Sequence, residues 1–226
     1  MRAPVSVIIP TLNAQGVLRP CFDALLEGLD AGLIRELIVS DGGSVDATCV
    51  TAQAWGAEVL QGPASRGGQL RRGCAVAKGE WLLVLHADTV LAPGWAKEVQ
   101  AHLDSKEPAW FQLAFEGGGL PARLVAGWAN LRSRFLGLPY GDQGFLIPHA
   151  LYQAVGGYPD QPLMEDVAFA RALRGRLKGL SVTAVTSADK YRKQGWLRRG
   201  SRNLWRLCRY FAGASPEVLA RGYQEP

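Results

Sequence analysis

Three stretches of the chain place acids where a ligand could reach them. The first is His86-Ala87-Asp88, which follows the apolar run from Leu82 to Leu85. A buried strand ending this way presents an imidazole and a carboxylate at its tip. Asp88 reads there as a ligand for a hard divalent cation, Mn²⁺ or Mg²⁺, commonly held by one or two carboxylates plus substrate phosphates. The plainer use of the same residue is a turn or helix-capping aspartate ahead of Pro93. The second stretch is Glu165-Asp166, opening a helix after Pro162-Leu163-Met164. Acids are favoured in the first turn of any helix, but a carboxylate at that place can also serve as general base toward an attacking hydroxyl. The third is the loop Tyr140-Gly141-Asp142-Gln143-Gly144, where Asp142 and Gln143 have no packing reason to be present and read as substrate contacts.

Two further segments suit a phosphate and its nucleoside. Asp41 lies in the turn SDGGSVD, whose residues are favoured on conformational grounds. Its carboxylate could also accept hydrogen bonds from a base or ribose. Ser44 or Asp46 is the expected cap of the helix that follows. The segment from Ala64 to Gly73, ASRGGQLRRG, puts Arg66, Gln69 and Arg71 at a helix start. Free N–H groups, the helix dipole and arginine forks all favour an anion there. It is not a P-loop, because GxxxxGK[ST] is absent.

The elements that must position these groups follow from periodicity. Val5 to Ile9 is a β-branched run closed by Pro10 and predicts a buried strand. Leu18, Phe22, Leu25, Leu26 and Leu29 predict a helix that stops at Gly32. Strands over Leu33–Val39, Ala57–Leu60 and Trp81–Leu85 alternate with helices ending near Trp55 and spanning Gly67–Lys78. That alternation predicts right-handed βαβ crossovers and a parallel sheet covered on both faces. Asn13, Asp41, Arg66 and His86/Asp88 then all follow strand ends, on the rim where such sheets bind ligands. Beyond Asp88 the pattern predicts helices over Pro93–Leu103, Leu120–Leu136, Ala150–Val155 and Met164–Leu173. It also predicts strands over Trp110–Phe115 and Phe145–Ile147, two short strands near Leu180–Val182 and Ala184–Thr186, and a last helix over Trp196–Ala212.

The chain has 226 residues, 48% of them hydrophobic and 20% charged, enough for a sizeable core in one α/β domain with a short appendage. The net charge of +5 is unevenly spread. From Lys190 to Arg209 there are eight basic residues and no acid, leaving −3 on the remainder. Such a tail attracts phosphates. It interleaves cations with Trp196, Leu197, Leu204, Trp205, Leu207, Tyr210 and Phe211, a pattern for a helix packed on the domain or lying on anionic lipid. The N-terminus lacks the apolar region of a signal peptide and no run is long enough to span a bilayer. A cytoplasmic protein is expected, peripheral on the inner face of the membrane if the tail binds lipid. Cys21, Cys49, Cys74 and Cys208 share no metal-ligand spacing and read as reduced thiols.

In this order, VSVIIPTLN (Val5–Asn13), IVSDGGSVDAT (Ile38–Thr48), RGGQLRRGCAVAKGEWLLVLHADT (Arg66–Thr89), YGDQG (Tyr140–Gly144) and MEDV (Met164–Val167) resemble the family 2 glycosyltransferases with the GT-A fold. The resemblance covers roughly residues 5–186. It looks nearest to a small bacterial branch carrying LHADT and GDQG and associated with radical-SAM gene neighbourhoods. It implies an α/β fold with a mostly parallel, Rossmann-like sheet, helices on both faces and a C-terminal basic helix. Residues 1–189 would form the transferase domain, with a nucleotide half to about residue 90 and an acceptor half after it; 190–226 would be the basic appendage. The nucleotide-diphosphate sugar would meet Pro10, Thr11, Asn13, Asp41, Arg66, Gln69, Arg71, His86 and Ala87. Asp88 would hold Mn²⁺ or Mg²⁺ on the diphosphate, and Asp166, with Glu165 beside it, would act as base. Asp142 and Gln143 would contact the acceptor or donor sugar. His86 stands where most relatives outside this branch have Asp. The implied reaction is a single inverting displacement onto an acceptor hydroxyl, for which a lipid-linked carrier is one candidate.

Other classes fit less well. A dehydrogenase would need GxGxxG after the first strand, and PTLNAQG does not supply it. No nucleic-acid recognition motif accompanies the basic tail. A non-catalytic nucleotide-sugar-binding or membrane-surface protein on the same fold is the alternative, since a fold does not set a function.

Overall fold

The computed structural model describes residues 2–224. Residues 1, 225 and 226, the outermost of the expected 1–189 and 190–226 divisions, lie outside the described residues.

The first half alternates as its periodicity predicts: β1 (Val5–Thr11), α1 (Gln15–Asp30), β2 (Ile34–Asp41), α2 (Thr48–Ala54), β3 (Glu58–Gln61), α3 (Arg66–Val76) and β4 (Trp81–Val84). The second half runs β5 (Thr89–Leu91), α4 (Trp95–His102), β6 (Ala109–Phe115), α5 (Gly119–Leu136), β7 (Phe145–Pro148), α6 (His149–Ala154), α7 (Glu165–Ala172), β8 (Lys178–Thr186), α8 (Asp189–Gln194), α9 (Trp196–Phe211) and α10 (Pro216–Gln224). Short 3-10 turns cover Leu103–Ser105 and Gly141–Gln143.

The strands form one sheet in the order β3-β2-β1-β4-β7-β6-β8-β5. β3, β2, β1 and β4 are mutually parallel, as is β6 with β8. β7 runs antiparallel to β4 and β6, and β5 to β8. The sheet is therefore mixed, parallel through the first half and reversed at β7 and β5. The C-terminal ends of β1, β2, β3 and β4 share one rim, as the alternation requires.

Strand alternation divides the core in two. Val5, Val7 and Ile9 of β1, Trp81 and Leu83 of β4 and Leu146 of β7 face α1, α2 and α4. Ile8, Leu82, Val84, Phe145 and Ile147 face α3, α6 and α7. Both faces are apolar because both are covered by helices, which is why the strands read as unbroken hydrophobic runs. The C-terminal segment joins the second core: Leu207 of α9 and Leu219 of α10 are buried there.

Three differences from the sequence expectation matter for the site. β5 was not anticipated, because three residues are too few to show alternation; it turns the chain sharply after Asp88 and ties it to β8. The two short late strands are one nine-residue strand, β8, with a register irregularity against β6 between Trp110 and Gln112. α8, also unanticipated, follows β8 and begins the turn that brings the basic tail back over the rim.

Candidate functional site

At the rim lies a cleft with about 880 Å³ of empty space, partly open to solvent. Its floor comes from the strand ends. His86 and Asp88 follow β4, Phe115 ends β6, Thr186 ends β8 and Ser187 follows it. One wall is the loop Tyr140-Gly141-Asp142 before β7; another is Arg66 at the start of α3, with Met164 and Asp166 at the start of α7. The roof is the basic tail: Lys190 and Tyr191 of α8 and Arg199, Asn203 and Arg206 of α9.

The acids are held, not loose. Asp166 Oδ2 accepts the Gly141 N–H at 2.8 Å and Oδ1 accepts the Val167 N–H at 2.7 Å. Its neighbour Met164 adopts φ 63°, a left-handed conformation that a long side chain rarely takes. That kink starts α7 with Asp166 turned into the cleft, and backbone strain of this kind collects at functional sites. Gly141 must lack a side chain, because a Cβ there would lie 2.3 Å from His86 Nε2. The close approach lets one backbone amide reach Asp166 while the loop packs on His86. Burial, then the nearby Arg66 cation, pushes the His86 imidazole down to about 4, against the pull of Asp88 and Asp166. The ring is neutral near pH 7. Burial pushes the Asp142 carboxyl up to about 6, with Arg132 opposing and Asp166 and Asp88 adding to it. Its Oδ1 is buried without a hydrogen-bond partner in the protein.

These residues fit a hard divalent cation. Asp88 lines the cleft floor, and the unpartnered Asp142 Oδ1 belongs to a residue of the adjoining wall. Among the described residues no cluster of three His, Cys, Asp or Glu side chains could hold a metal alone.

Not every expected site residue reaches the cleft. Arg66, His86, Asp88, Asp142 and Asp166 are brought together there. Glu165 is not: it is 1% exposed and faces Arg66, Oε1 to Nε at 3.6 Å, which places it behind the cleft as a support for that arginine. Burial first, then Asp166, pushes its carboxyl up to about 8, with Arg66 opposing.

Gln143 is corrected from a substrate contact to an internal strut. Its side chain is fully buried. Oε1 accepts from Ser133 Oγ at 2.6 Å, Arg132 Nη2 at 3.2 Å and the Tyr140 N–H at 3.2 Å, and Nε2 donates to Asn130 Oδ1 at 3.2 Å. Asn130 in turn bonds both backbone groups of Leu113, so the network fixes the wall loop to α5 and β6. Arg132 also sits 3.5 Å above the Tyr140 ring, a close cation–π contact.

The first-half residues form the frame beside the cleft. Asp41 is buried and its four acceptor bonds are internal: Thr11 Oγ1 and Ser44 Oγ to Oδ1, and the Gly43 and Ser44 N–H groups to Oδ2. Burial would raise this carboxyl, but those bonds, Ser44's foremost, hold it below the usual carboxylate range. Asn13, at φ 49°, accepts the Val45 N–H and donates its own N–H to Ser44 Oγ, which clips the β1 and β2 loops together. Gln69 Nε2 donates to the Thr11 and Ser40 carbonyls. Arg71 points away, donating to the Tyr158 carbonyl. Pro10 is a half-buried member of β1, and Ala87 packs on the first core. At the start of α2 the N-cap is Ala47, without a side-chain cap, though Asp46 Oδ1 accepts the Thr48 N–H at 3.0 Å; at the start of α3 Ser65 Oγ accepts the Gly68 N–H.

Sequence reasoning did not single out Tyr191, Asn203, Phe115 or the individual tail cations Lys190, Arg199 and Arg206. The run of basic residues without an acid was the available signal, and it marked the segment but not the side chains that turn inward.

Glu165→Gln should reveal the buried acid through stability. A carboxyl raised from 4.5 to about 8 in the fold stays protonated there while the unfolded chain ionises. Its stabilising contribution is complete below about pH 4.5 and lost as pH rises through about 8. The neutral amide escapes that loss. Its melting temperature should gain on wild type by about 3 °C or more between pH 6 and 9. A difference that stays flat over this range would contradict the assignment.

Comparison with known proteins agrees with this architecture. The PGL/p-HBAD biosynthesis glycosyltransferases of Mycobacterium tuberculosis and Mycobacterium bovis are 35% identical over 141 residues, which is 59% of this chain and 50% of theirs. The chain thus spans about half the length of these curated relatives. Among solved structures, S. aureus TarS 1-349 superposes with a TM-score of 0.64 at 16% identity, covering 90% of this chain and 64% of that one. Glucosyl-3-phosphoglycerate synthase from Mycobacterium tuberculosis, crystallised with Mn²⁺, uridine diphosphate and glucosyl-3-phosphoglycerate, does so with 0.57 at 20% identity, over 81% and 70%. At such identities the likeness is one of fold, and it is the GT-A-like fold that the motifs imply. The family model for glycosyl transferase family 2 matches residues 6–139, more than half of the sequence, so the chain belongs to that family.

Proposed function

We propose that the chain transfers a sugar from a nucleoside diphosphate sugar to an acceptor hydroxyl in a single inverting displacement. One observation carries this reading: Asp166 and Asp88 face the same cleft, under a roof holding Lys190, Arg199 and Arg206. A base, a carboxylate fit for a cation and a set of phosphate-binding groups are what the reaction needs.

In the displacement the acceptor oxygen forms its bond to the anomeric carbon as the bond from that carbon to the diphosphate breaks. Asp166 takes the hydroxyl proton. The Gly141 and Val167 N–H groups hold the carboxylate in place for that transfer. Arg66, Lys190, Arg199 and Arg206 offset charge growing on the departing diphosphate. A divalent cation bound at Asp88 would supply further charge neutralisation at the same oxygens.

TarS has been crystallised with UDP and with UDP-GlcNAc, and the mycobacterial synthase with UDP and Mn²⁺. Uridine diphosphate sugars with Mn²⁺ are therefore the first donors to offer. Turnover of a panel of sugar nucleotides should release nucleoside diphosphate from one donor class, and the product's anomeric configuration by NMR should be inverted. No release from any donor would defeat the reading, and a retained configuration would defeat the single displacement.

A further inference from the structure

Helix α5 is built with its large apolar residues outward. Toward the sheet it buries small residues: Ala122, Ala126, Ala129 and Ser133. Leu120, Leu124, Trp128, Leu131 and Phe135 are 50–73% exposed. At about 100° per residue these five fall within an arc of roughly 80°, on the side opposite the buried alanines. A helix facing only water shows the reverse arrangement. Scattered exposed apolar residues are ordinary, but a continuous stripe along 18 residues marks a contact surface.

Helix α9 widens the stripe. The Trp196 ring at its start lies against Gly118, just before α5. Phe211 at its end shares a small cavity with Leu136 and Leu138 at the end of α5. The two helices therefore run side by side in the same direction. α9 leaves Leu197, Leu204, Trp205 and Phe211 exposed. Exposed arginines border the apolar residues: Arg123 and Arg134 on α5, Arg198 and Arg209 on α9. Neither helix contains an Asp or Glu.

Those two features choose among occupants. A second copy of the chain would set arginine borders against each other with no acid to meet them. An anionic bilayer satisfies both, with the apolar residues entering the headgroup boundary and the arginines meeting lipid phosphates. Trp128 and Trp205 suit the interfacial layer where aromatic residues collect. Among the described residues no helix is long and apolar enough to cross a membrane, so the pair would lie in the interface plane. We propose that α5 and α9 together form a docking face that seats the protein on an anionic lipid surface. This holds whether or not the cleft transfers sugar, and its test does not involve turnover.

Co-sedimentation with vesicles of phosphatidylglycerol and phosphatidylcholine, against phosphatidylcholine alone, tests it. Wild type should be retained on the anionic vesicles at low salt and less so at high salt. Leu124→Ser/Trp128→Ser/Phe135→Ser, all at exposed positions, should weaken retention about tenfold or more. Arg198→Glu/Arg209→Glu should do so through charge, since each cation near such a surface is worth about fivefold. Val45→Ser/Val50→Ser, exposed on other elements, should change nothing. Circular dichroism checks that each variant folds, and the arginine pair decides if the triple variant does not. No retention of wild type at low salt, or equal retention of wild type and the folded variants, overturns the proposal.

Discussion

Replacing Asp166 with Asn is expected to lower the transfer rate by about 10²–10⁴-fold, the usual worth of a positioned general base. Nucleoside diphosphate binding should survive. The split follows from geometry: Asp166 enters the cleft from the start of α7, whereas the cations lining it come from α3, α8 and α9. An amide cannot take the acceptor proton, but it is close in size to the carboxylate. It keeps one of the two backbone N–H bonds now made to Gly141 and Val167. The other N–H would then face an NH₂ group, at a cost of about 1–3 kcal/mol in stability. The variant should thus melt somewhat lower and still bind nucleotide. Measuring single-turnover rate beside diphosphate affinity separates the effects. Turnover near the wild-type rate would remove Asp166 from the role of base.

Asp88→Ala should have the second large effect, on binding instead of chemistry. A carboxylate that completes a cation's shell together with substrate phosphates ties the cation to the protein, and Asp88 is the residue assigned that role here. Removing one partner of a desolvated charge contact typically costs 2–5 kcal/mol, here read as a diphosphate affinity weakened roughly 30-fold or more in Mn²⁺. Without Mn²⁺ the variant and wild type should bind alike, because Lys190, Arg199 and Arg206 remain. Calorimetric titration with and without the cation reads both arms. An affinity in Mn²⁺ that the substitution leaves unchanged would mean Asp88 holds no metal.

Much of this site is legible in the sequence, for a physical reason. Asp88 follows the end of β4, and a polar residue there emerges on the rim once the βαβ order is known; His86 and Arg66 follow from the same logic. Asp142, in a polar loop, and Asp166, at a helix start, lie beyond that alternation. Gln143 and Asp41 show its limit. Polarity in a loop announces hydrogen bonds but not whether the partner is substrate or protein. For Gln143 the partners are Asn130, Arg132 and Ser133 of the preceding helix α5 and Tyr140 of its own loop. For Asp41 they are Thr11 and its own turn.

The tail was legible as charge and not as geometry. Of its eight cations, Lys190, Arg199 and Arg206 line the cleft, while Arg198 and Arg209 are exposed on α9 and do not line it. That division depends on how α8 turns the chain, which no local pattern announces. The outward stripe of α5 escaped for a related reason. An amphipathic period reveals that a helix has two faces, and it took the buried alanines to show that the larger one is outside.

The central claim is that the cleft holds a nucleoside diphosphate against a cation at Asp88. Thermal unfolding with UDP, GDP, CDP, ADP and dTDP, each with and without Mn²⁺, tests it most directly, since a ligand bound only by the folded state raises the midpoint by mass action. The expected result is a rise with one diphosphate that Mn²⁺ enlarges, the Mn²⁺-dependent part being lost in Asp88→Ala. No rise with any diphosphate, or a Mn²⁺-dependent rise that persists in Asp88→Ala, would contradict the account.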